Sequence, residues 1–509
     1  MPEPPERTAE AEKSLEGGTQ TGRHTAIGAF QNLSARAVAL ITGFATIVFL
    51  TRRLGPELYG QYSVAFGIVL WIELVAASLL SSTTVRLVAE ADDWKAISST
   101  LAQIQVVVSL GAAAVLVVMA PIVAAALGSP GLGGYLRLFA LEIPLFGFNQ
   151  VHRSTLIGQG AFGRGAIVTI VYWLSRIVLM LLLVGCGLSV MGAILANLGA
   201  AAAQLMMSRV YVQPALFRRV KTGIQLRGVA DYALPLTADS MGSLVVTKGD
   251  LLIVRAFAAL PGAAGFYSAA ADLATVPVSY LVGSFTSLLL ATLTHLWEDG
   301  QGPSAQSMAN QALRLVLCLL PFAALAAGSA PGIVTFVYGE AYLPAGPLFA
   351  LLIFAAVGSM LISVLTQALV ARGRPRLILT VTLPRAVLAL AGYLVLTPRF
   401  GPIGAAASRA TLTGLAAMVF FGIVSRRCGV QLFPMTVFRT GVTAAAAYAA
   451  SRAWQTSGWL VIVELLVVAV GVVACLFLVG ELTQRDVQFA VSLLRSKPRG
   501  SSLFVEGES

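Results

Sequence analysis

Charge is what this sequence has least of. Of its 509 residues only 11% are Asp, Glu, Lys or Arg, against about 25% in an ordinary soluble domain. That supply is too small to cover a soluble globule of this size, and it excludes a disordered chain, whose composition would be polar. Histidine occurs three times (His24, His152, His295) and cysteine four times (Cys186, Cys318, Cys428, Cys475), all scattered. No CxxC pair or His/Cys cluster results, so neither a metal centre nor a disulfide scaffold is expected, and the cysteines read as small core residues. Nothing calls for a cofactor. Residues 1–26 are polar and lack an apolar run before a cleavage site, so they read as a disordered tail and not as a leader peptide.

What is abundant is apolar: 57% of residues are hydrophobic and the mean hydropathy is +0.84. A helix needs about 20 apolar residues to cross the hydrocarbon core of a bilayer. Fourteen such spans are predicted, over 27–50, 58–82, 98–127, 133–156, 165–186, 188–208, 229–256, 263–294, 306–337, 343–370, 377–397, 402–425, 434–453 and 458–482. Gly and Pro mark most of the breaks, as at Leu54-Gly55-Pro56, Leu260-Pro261-Gly262 and Phe400-Gly401-Pro402. The ninth span is long enough to tilt strongly or to extend out of the membrane.

Basic residues orient these spans. With both termini on one side, the loops and tails there carry 23 Lys and Arg, and the opposite set only six: Arg52, Arg53, Arg137, Arg255, Arg399 and Arg452. The richer side is expected to be cytoplasmic, which makes this a multi-pass protein of the cytoplasmic membrane with both termini inside. The formal charge of +11 is thereby a topology signal spread over short loops, and no nucleic acid partner is expected. Its densest stretch, Arg218-Arg219-Lys221-Arg227, fits topogenic charge beside anionic lipid.

The chain also repeats itself. Gly60-Gln61-Tyr62-Ser63 returns as Gly265-Phe266-Tyr267-Ser268, Gly160 as Gly373, and Gly192-Ala193 as Gly404-Ala405, at offsets of 205–213 residues. Six spans per repeat is an even number, so both halves insert the same way up and are related by an axis along the membrane normal. The expected fold class is therefore an all-α polytopic membrane protein of about 14 transmembrane helices. Two six-helix repeat lobes, 27–211 and 229–427, surround a central cleft, and two extra helices follow at 428–484. A basic linker at 212–228 joins the lobes, and a second tail runs over 485–509. Two lobes rocking about a central site suit alternating access. No extramembrane segment is large enough for a catalytic domain, so no enzyme is expected.

These segments resemble the polysaccharide flippases of the multidrug/oligosaccharidyl-lipid/polysaccharide exporter superfamily. The turn Leu54-Gly55-Pro56-Glu57-Leu58-Tyr59-Gly60-Gln61-Tyr62-Ser63 is similar to that family's LGPEEYGLYS. The resemblance continues through Lys248-Gly249-Asp250, Tyr338-Gly339-Glu340-Ala341-Tyr342-Leu343-Pro344-Ala345, Arg372-Gly373-Arg374-Pro375 and Arg399-Phe400-Gly401-Pro402-Ile403-Gly404-Ala405. One departure is Leu251 directly after Asp250, where family members often carry Arg. The resemblance implies a flippase that moves a polyprenyl-diphosphate-linked oligosaccharide from the inner to the outer leaflet for surface polysaccharide such as lipopolysaccharide or exopolysaccharide. It also implies coupling to an H+ or Na+ gradient and work beside a polysaccharide polymerase complex.

Ionisable residues inside spans cost about 2.5–3.5 kcal/mol each and normally face a cavity or pair. A diphosphate needs cationic donors to cross, and Arg suits it because its planar fork binds oxygens in pairs. Arg176 and Arg385 sit at mid-span in the repeat-related spans five and eleven; with Arg36 and Arg409 they are the expected substrate-binding residues. Asp239, Lys248, Asp250 and Asp272 on spans seven and eight are the candidates for ion coupling, with a static Lys248–Asp272 pair as the alternative. Glu73 and Glu142 carry the same ambiguity, while Glu464 in the extra helices reads as peripheral. Gly158-x-Gly160-x-x-Gly163 spells a dinucleotide fingerprint but follows a membrane span, so it reads as a turn. Two competing functions stay open: a multidrug or organic-cation antiporter of the same superfamily, and a peptidoglycan lipid-precursor flippase. Mid-span cations argue for an anionic substrate over a cationic drug.

Overall fold

A computed structural model describes the backbone of residues 6–90, 93–213, 226–258, 260, 262–374, 376–431 and 434–481, with side chains from Gln31 onward except 32–33, 78–79, 82, 86, 90, 226–240, 376 and six positions in 280–288. The predicted linker and C-terminal tail lie largely outside the described residues. Among those described, every element is helical. The first lobe comprises α1 (Glu6–Glu90), α2 (Trp94–Ala126), α3 (Leu132–Phe139), α4 (Glu142–Gly158), α5 (Phe162–Gly185) and α6 (Ser189–Tyr211). The second comprises α7 (Leu226–Phe257), α8 (Ala263–Glu298), α9 (Gly302–Leu317), α10 (Leu320–Gly328), α11 (Ala330–Tyr338), a 3-10 turn at Glu340–Ala345, α12 (Gly346–Ala371) and α13 (Arg376–Cys428). The extra pair is α14 (Pro434–Ala453) and α15 (Leu460–Leu478).

The predicted spans lie largely on helix. Eight helical runs among the described residues are long and apolar enough to cross a membrane, and the two longest, Ser34–Ala77 and Leu377–Cys428, each hold two predicted crossings. Those two runs are each broken by a kink at a glycine. Gly55 has φ 70° and Gly401 φ 61°, non-helical backbone inside α1 and α13. Such positive φ is open to Gly at no steric cost, and the following Pro56 and Pro402 suit the first turn of a new helix.

Three expectations change. The ninth span is not one tilted helix but three short ones, because Pro321 and Pro331 stand in the first turns of α10 and α11, where their missing N–H groups interrupt the ladder. The fourth span likewise breaks between α3 and α4, at Ala140-Leu141. In addition, α1 starts at Glu6, so residues 6–26 are helical here where composition suggested a disordered tail.

Packing defines how the lobes meet. The largest core cluster joins Leu50, Tyr59, Tyr62 and Val69 of the first lobe to Val254, Tyr267, Tyr338 and Tyr393 of the second. Away from this turn-bearing end the cores are separate: Leu80, Leu101, Phe148 and Val151 in the first lobe, and Leu293, Leu313, Leu369 and Phe420 in the second. The lobes are thus pinned at one end, and among the described residues no core cluster joins them at the other. The extra pair packs on α10, where Cys318, Leu325, Ala447, Val472 and Leu476 form a small core. Glu464, expected at the periphery, is 1% exposed. It accepts hydrogen bonds from Ser329 and from the Thr456 amide at 3.1 Å and hydroxyl at 2.6 Å, fastening α15 to the second lobe.

Candidate functional site

Each lobe carries a polar knot built on repeat-related positions. Tyr62 and Tyr267 stand two residues after Gly60 and Gly265; Asn197 and Arg409 stand five residues after Gly192 and Gly404. In the first lobe the Asn197 amide donates directly to the Tyr62 oxygen at 2.9 Å. In the second lobe the same two positions are joined through an acid: Tyr267 donates to Asp250 at 2.6 Å and Arg409 to the same oxygen at 2.9 Å. One fold position therefore holds an amide in one lobe and a guanidinium in the other.

The second knot is closed. Arg409 is 6% exposed and Asp250 1%, and their ion pair is fully enclosed. The second Asp250 oxygen accepts from the Leu251 amide at 2.8 Å. Arg409, expected to bind substrate, and Asp250, expected to couple an ion, are thus paired with each other inside the lobe. Breaking one half of such a pair would strand a charge in a medium of low dielectric.

The first knot holds no acid among the described residues. Arg176 on α5 donates through Nε to Asn197 at 2.7 Å and through Nη2 to Tyr62 at 3.4 Å. Its guanidinium lies 5.3 Å from the Trp173 ring and 5.7 Å from Phe66, within the range of cation–π attraction. No carboxylate stands within ion-pair distance of it among the described residues, and it remains half-buried. A guanidinium has five N–H donors, so part of the fork stays uncommitted.

Arg385 on α13 differs in level. It lies twelve residues after Gly373, against sixteen from Gly160 to Arg176, which is one helical turn nearer the unpinned end. Its partner moves with it: Nη2 donates to Thr413 at 2.9 Å, nine residues after Gly404 where Asn197 is five after Gly192. Its Nε is buried with no partner. Arg36 on α1 is half-buried, has no hydrogen bond or ion pair among the described residues, and feels the like charge of Arg153 on α4. The structure thus brings Arg176 and Arg385 to equivalent faces of the two lobes at staggered heights, and gives Arg36 a cationic neighbour that sequence reading had counted only as a topology signal.

Among the ion-coupling candidates, Asp272 accepts from Tyr59 at 2.8 Å and from Ser268 at 3.3 Å. The first bond crosses between lobes. The alternative pair with Lys248 does not form; Lys248 is half-buried and makes no ion pair among the described residues. The side chain of Asp239 lies outside the described residues. Close by, Arg52 donates to the Val337 and Phe336 carbonyls at 2.8 and 2.6 Å, capping the end of α11 from the other lobe. Tyr59, Tyr62, Asn197, Tyr267 and Thr413 were missed as site residues. The two repeated tyrosines were visible as a turn motif, but no periodicity tells that their hydroxyls anchor buried networks.

Comparison with known proteins agrees with this architecture. Residues 49–347 match the family model described as polysaccharide biosynthesis protein. The chain belongs to that family, and its resemblance to the polysaccharide flippases of the exporter superfamily is borne out. It is 23% identical over 310 residues to the succinoglycan biosynthesis transport protein ExoT of Rhizobium meliloti, the match spanning 61% of each chain. By fold it is similar to the lipid II flippase MurJ in an inward closed conformation, with TM-score 0.70, 13% identity, and 88% of this chain and 97% of the other covered. It is also similar to an inward-facing multidrug resistance transporter of the MATE family, with TM-score 0.64, 16% identity, and 79% and 98% covered. The protein is a multi-pass membrane protein with the transporter fold of that superfamily.

Proposed function

We propose that the protein carries polyprenyl-diphosphate-linked oligosaccharide repeat units across the cytoplasmic membrane for surface polysaccharide synthesis. It works by alternating access, driven by an H+ or Na+ gradient. The observation that carries this reading is Arg176: a guanidinium held in the first lobe by neutral groups, without a carboxylate, and with donors to spare. Arg385 on the second lobe, with its unpartnered Nε, offers a second contact one turn away. Arg36 and Arg153 then add positive charge toward the unpinned end, where an anionic headgroup enters. Both termini and the unpinned end face the cytoplasm in this reading, so the pinned end closes the outer side. A cationic drug would be repelled by this set, and the family match supports a glycan lipid over the peptidoglycan precursor.

The test is depletion in the native cell, followed by extraction of polyprenyl-linked intermediates. Accumulation of a complete lipid-linked repeat unit on the cytoplasmic side, with loss of a surface polysaccharide, is expected. Unchanged intermediates together with altered sensitivity to cationic drugs would refute the proposal. Co-purification with a polysaccharide polymerase would establish the proposed complex.

A further inference from the structure

The first lobe contains two carboxyl groups that its hydrogen bonding does not account for. Glu73 on α1 and Glu142 in the first turn of α4 are each 4% exposed. One oxygen of each is buried without any partner. They lie close enough to act on one another electrostatically, and Glu142 also feels Arg176. Tyr172, on α5 with Arg176, feels both acids. No other charged group among the described residues acts on either acid.

Charge balance sets what this cluster holds. In the second lobe Arg409 is neutralised by Asp250 in direct contact. In the first lobe Arg176 has no such partner, and two acids stand nearby instead of one. Two negative charges that act on each other in a medium of low dielectric repel strongly, whereas one balances the guanidinium.

We propose that Glu73 and Glu142 form a proton-binding site of the first lobe: they share one proton while Arg176 is free of anion, and take up a second from solvent when a diphosphate docks on Arg176. The second step rests on the substrate reading above; the first does not. Because linkage is reciprocal, protonation of the pair in turn strengthens anion binding at Arg176, which ties the proton to the transported charge.

The experiment is infrared difference spectroscopy on the full-length protein in detergent, following the carbonyl band of protonated carboxylic acids. At neutral pH the wild type is expected to show such a band, and both Glu73→Gln and Glu142→Gln to lose it. Where Glu73→Gln does not accumulate, Glu73→Asp shifts the band instead. Arg176→Gln removes the balancing charge, so its band is expected to be larger than that of wild type and unresponsive to ligand. Farnesyl diphosphate is expected to enlarge the wild-type band by one proton per bound molecule. A band untouched by the Glu73 and Glu142 substitutions, or unchanged in Arg176→Gln, overturns the site. A band abolished by sodium in place of potassium overturns it in favour of a metal cation. Farnesyl diphosphate without effect, against normal behaviour of all variants, overturns the linkage and the substrate reading while the first proton stands.

Discussion

Gly60 touches its own repeat counterpart. A Cβ on Gly60 would lie 2.7 Å from the backbone nitrogen of Gly265, and one on Gly265 would lie 1.8 Å from the Pro56 carbonyl oxygen. Two positions related by the duplication can meet only at the pseudo-two-fold axis, so this contact marks where the axis passes between the lobes. At this contact the lobes meet backbone to backbone.

Replacing either glycine therefore tests the closure. Gly265→Ala has backbone on all three of its nearest contacts and no flexible atom to move. It should disfavour the pinned state by about 1–3 kcal/mol, the usual scale of overpacking. Gly60→Ala should act in the same direction and less strongly. Accessibility of a cysteine placed at position 63 to a membrane-impermeant reagent would rise in both.

The Tyr59–Asp272 bond makes a second test of the same end. Its 2.8 Å contact is a phenol on a carboxylate, worth about 1.5–3 kcal/mol for a hydrogen bond to a charged group. Tyr59→Phe should shift the lobes toward the unpinned arrangement by up to that amount and leave the fold intact. The same cysteine accessibility reads the shift, and an unchanged signal would show that the glycine contact alone holds the end.

Arg176 and Arg409 should separate cleanly. Arg176→Ala and Arg385→Ala are expected to abolish flipping with normal protein levels. Arg176→Lys should fail as well, because an ammonium lacks the planar fork. Arg409→Ala should instead lower protein levels and the melting temperature, by about 3–5 kcal/mol of stability, through stranding Asp250. The double variant Arg409→Met with Asp250→Leu should recover much of that loss. Thermal unfolding in detergent beside a flipping assay distinguishes the two behaviours.

Glu464 gives a control outside the lobes. It receives three hydrogen bonds from Ser329 and Thr456, so Glu464→Gln should loosen α15 by about 1–3 kcal/mol without altering the response to a proton gradient. A changed gradient dependence would assign it a role in coupling.

The amino-acid sequence by itself determined an all-helical multi-pass fold, its two repeats and the family. Each rests on local information: length of an apolar run, a Gly-Pro turn, a side bias in Lys and Arg. It also placed Arg176 and Arg385 at mid-span, since depth follows from position along a helix. Rotation about the helix axis was decided only by tertiary structure. Arg409 and Asp250, 159 residues apart, neutralise each other because α13 and α7 present those faces together, while Arg176 meets an amide and a phenol instead. A mid-span charge is either a spent ion pair or a free ligand group according to what the neighbouring helix presents. That long-range choice is set by packing between helices, which no spacing within one helix contains.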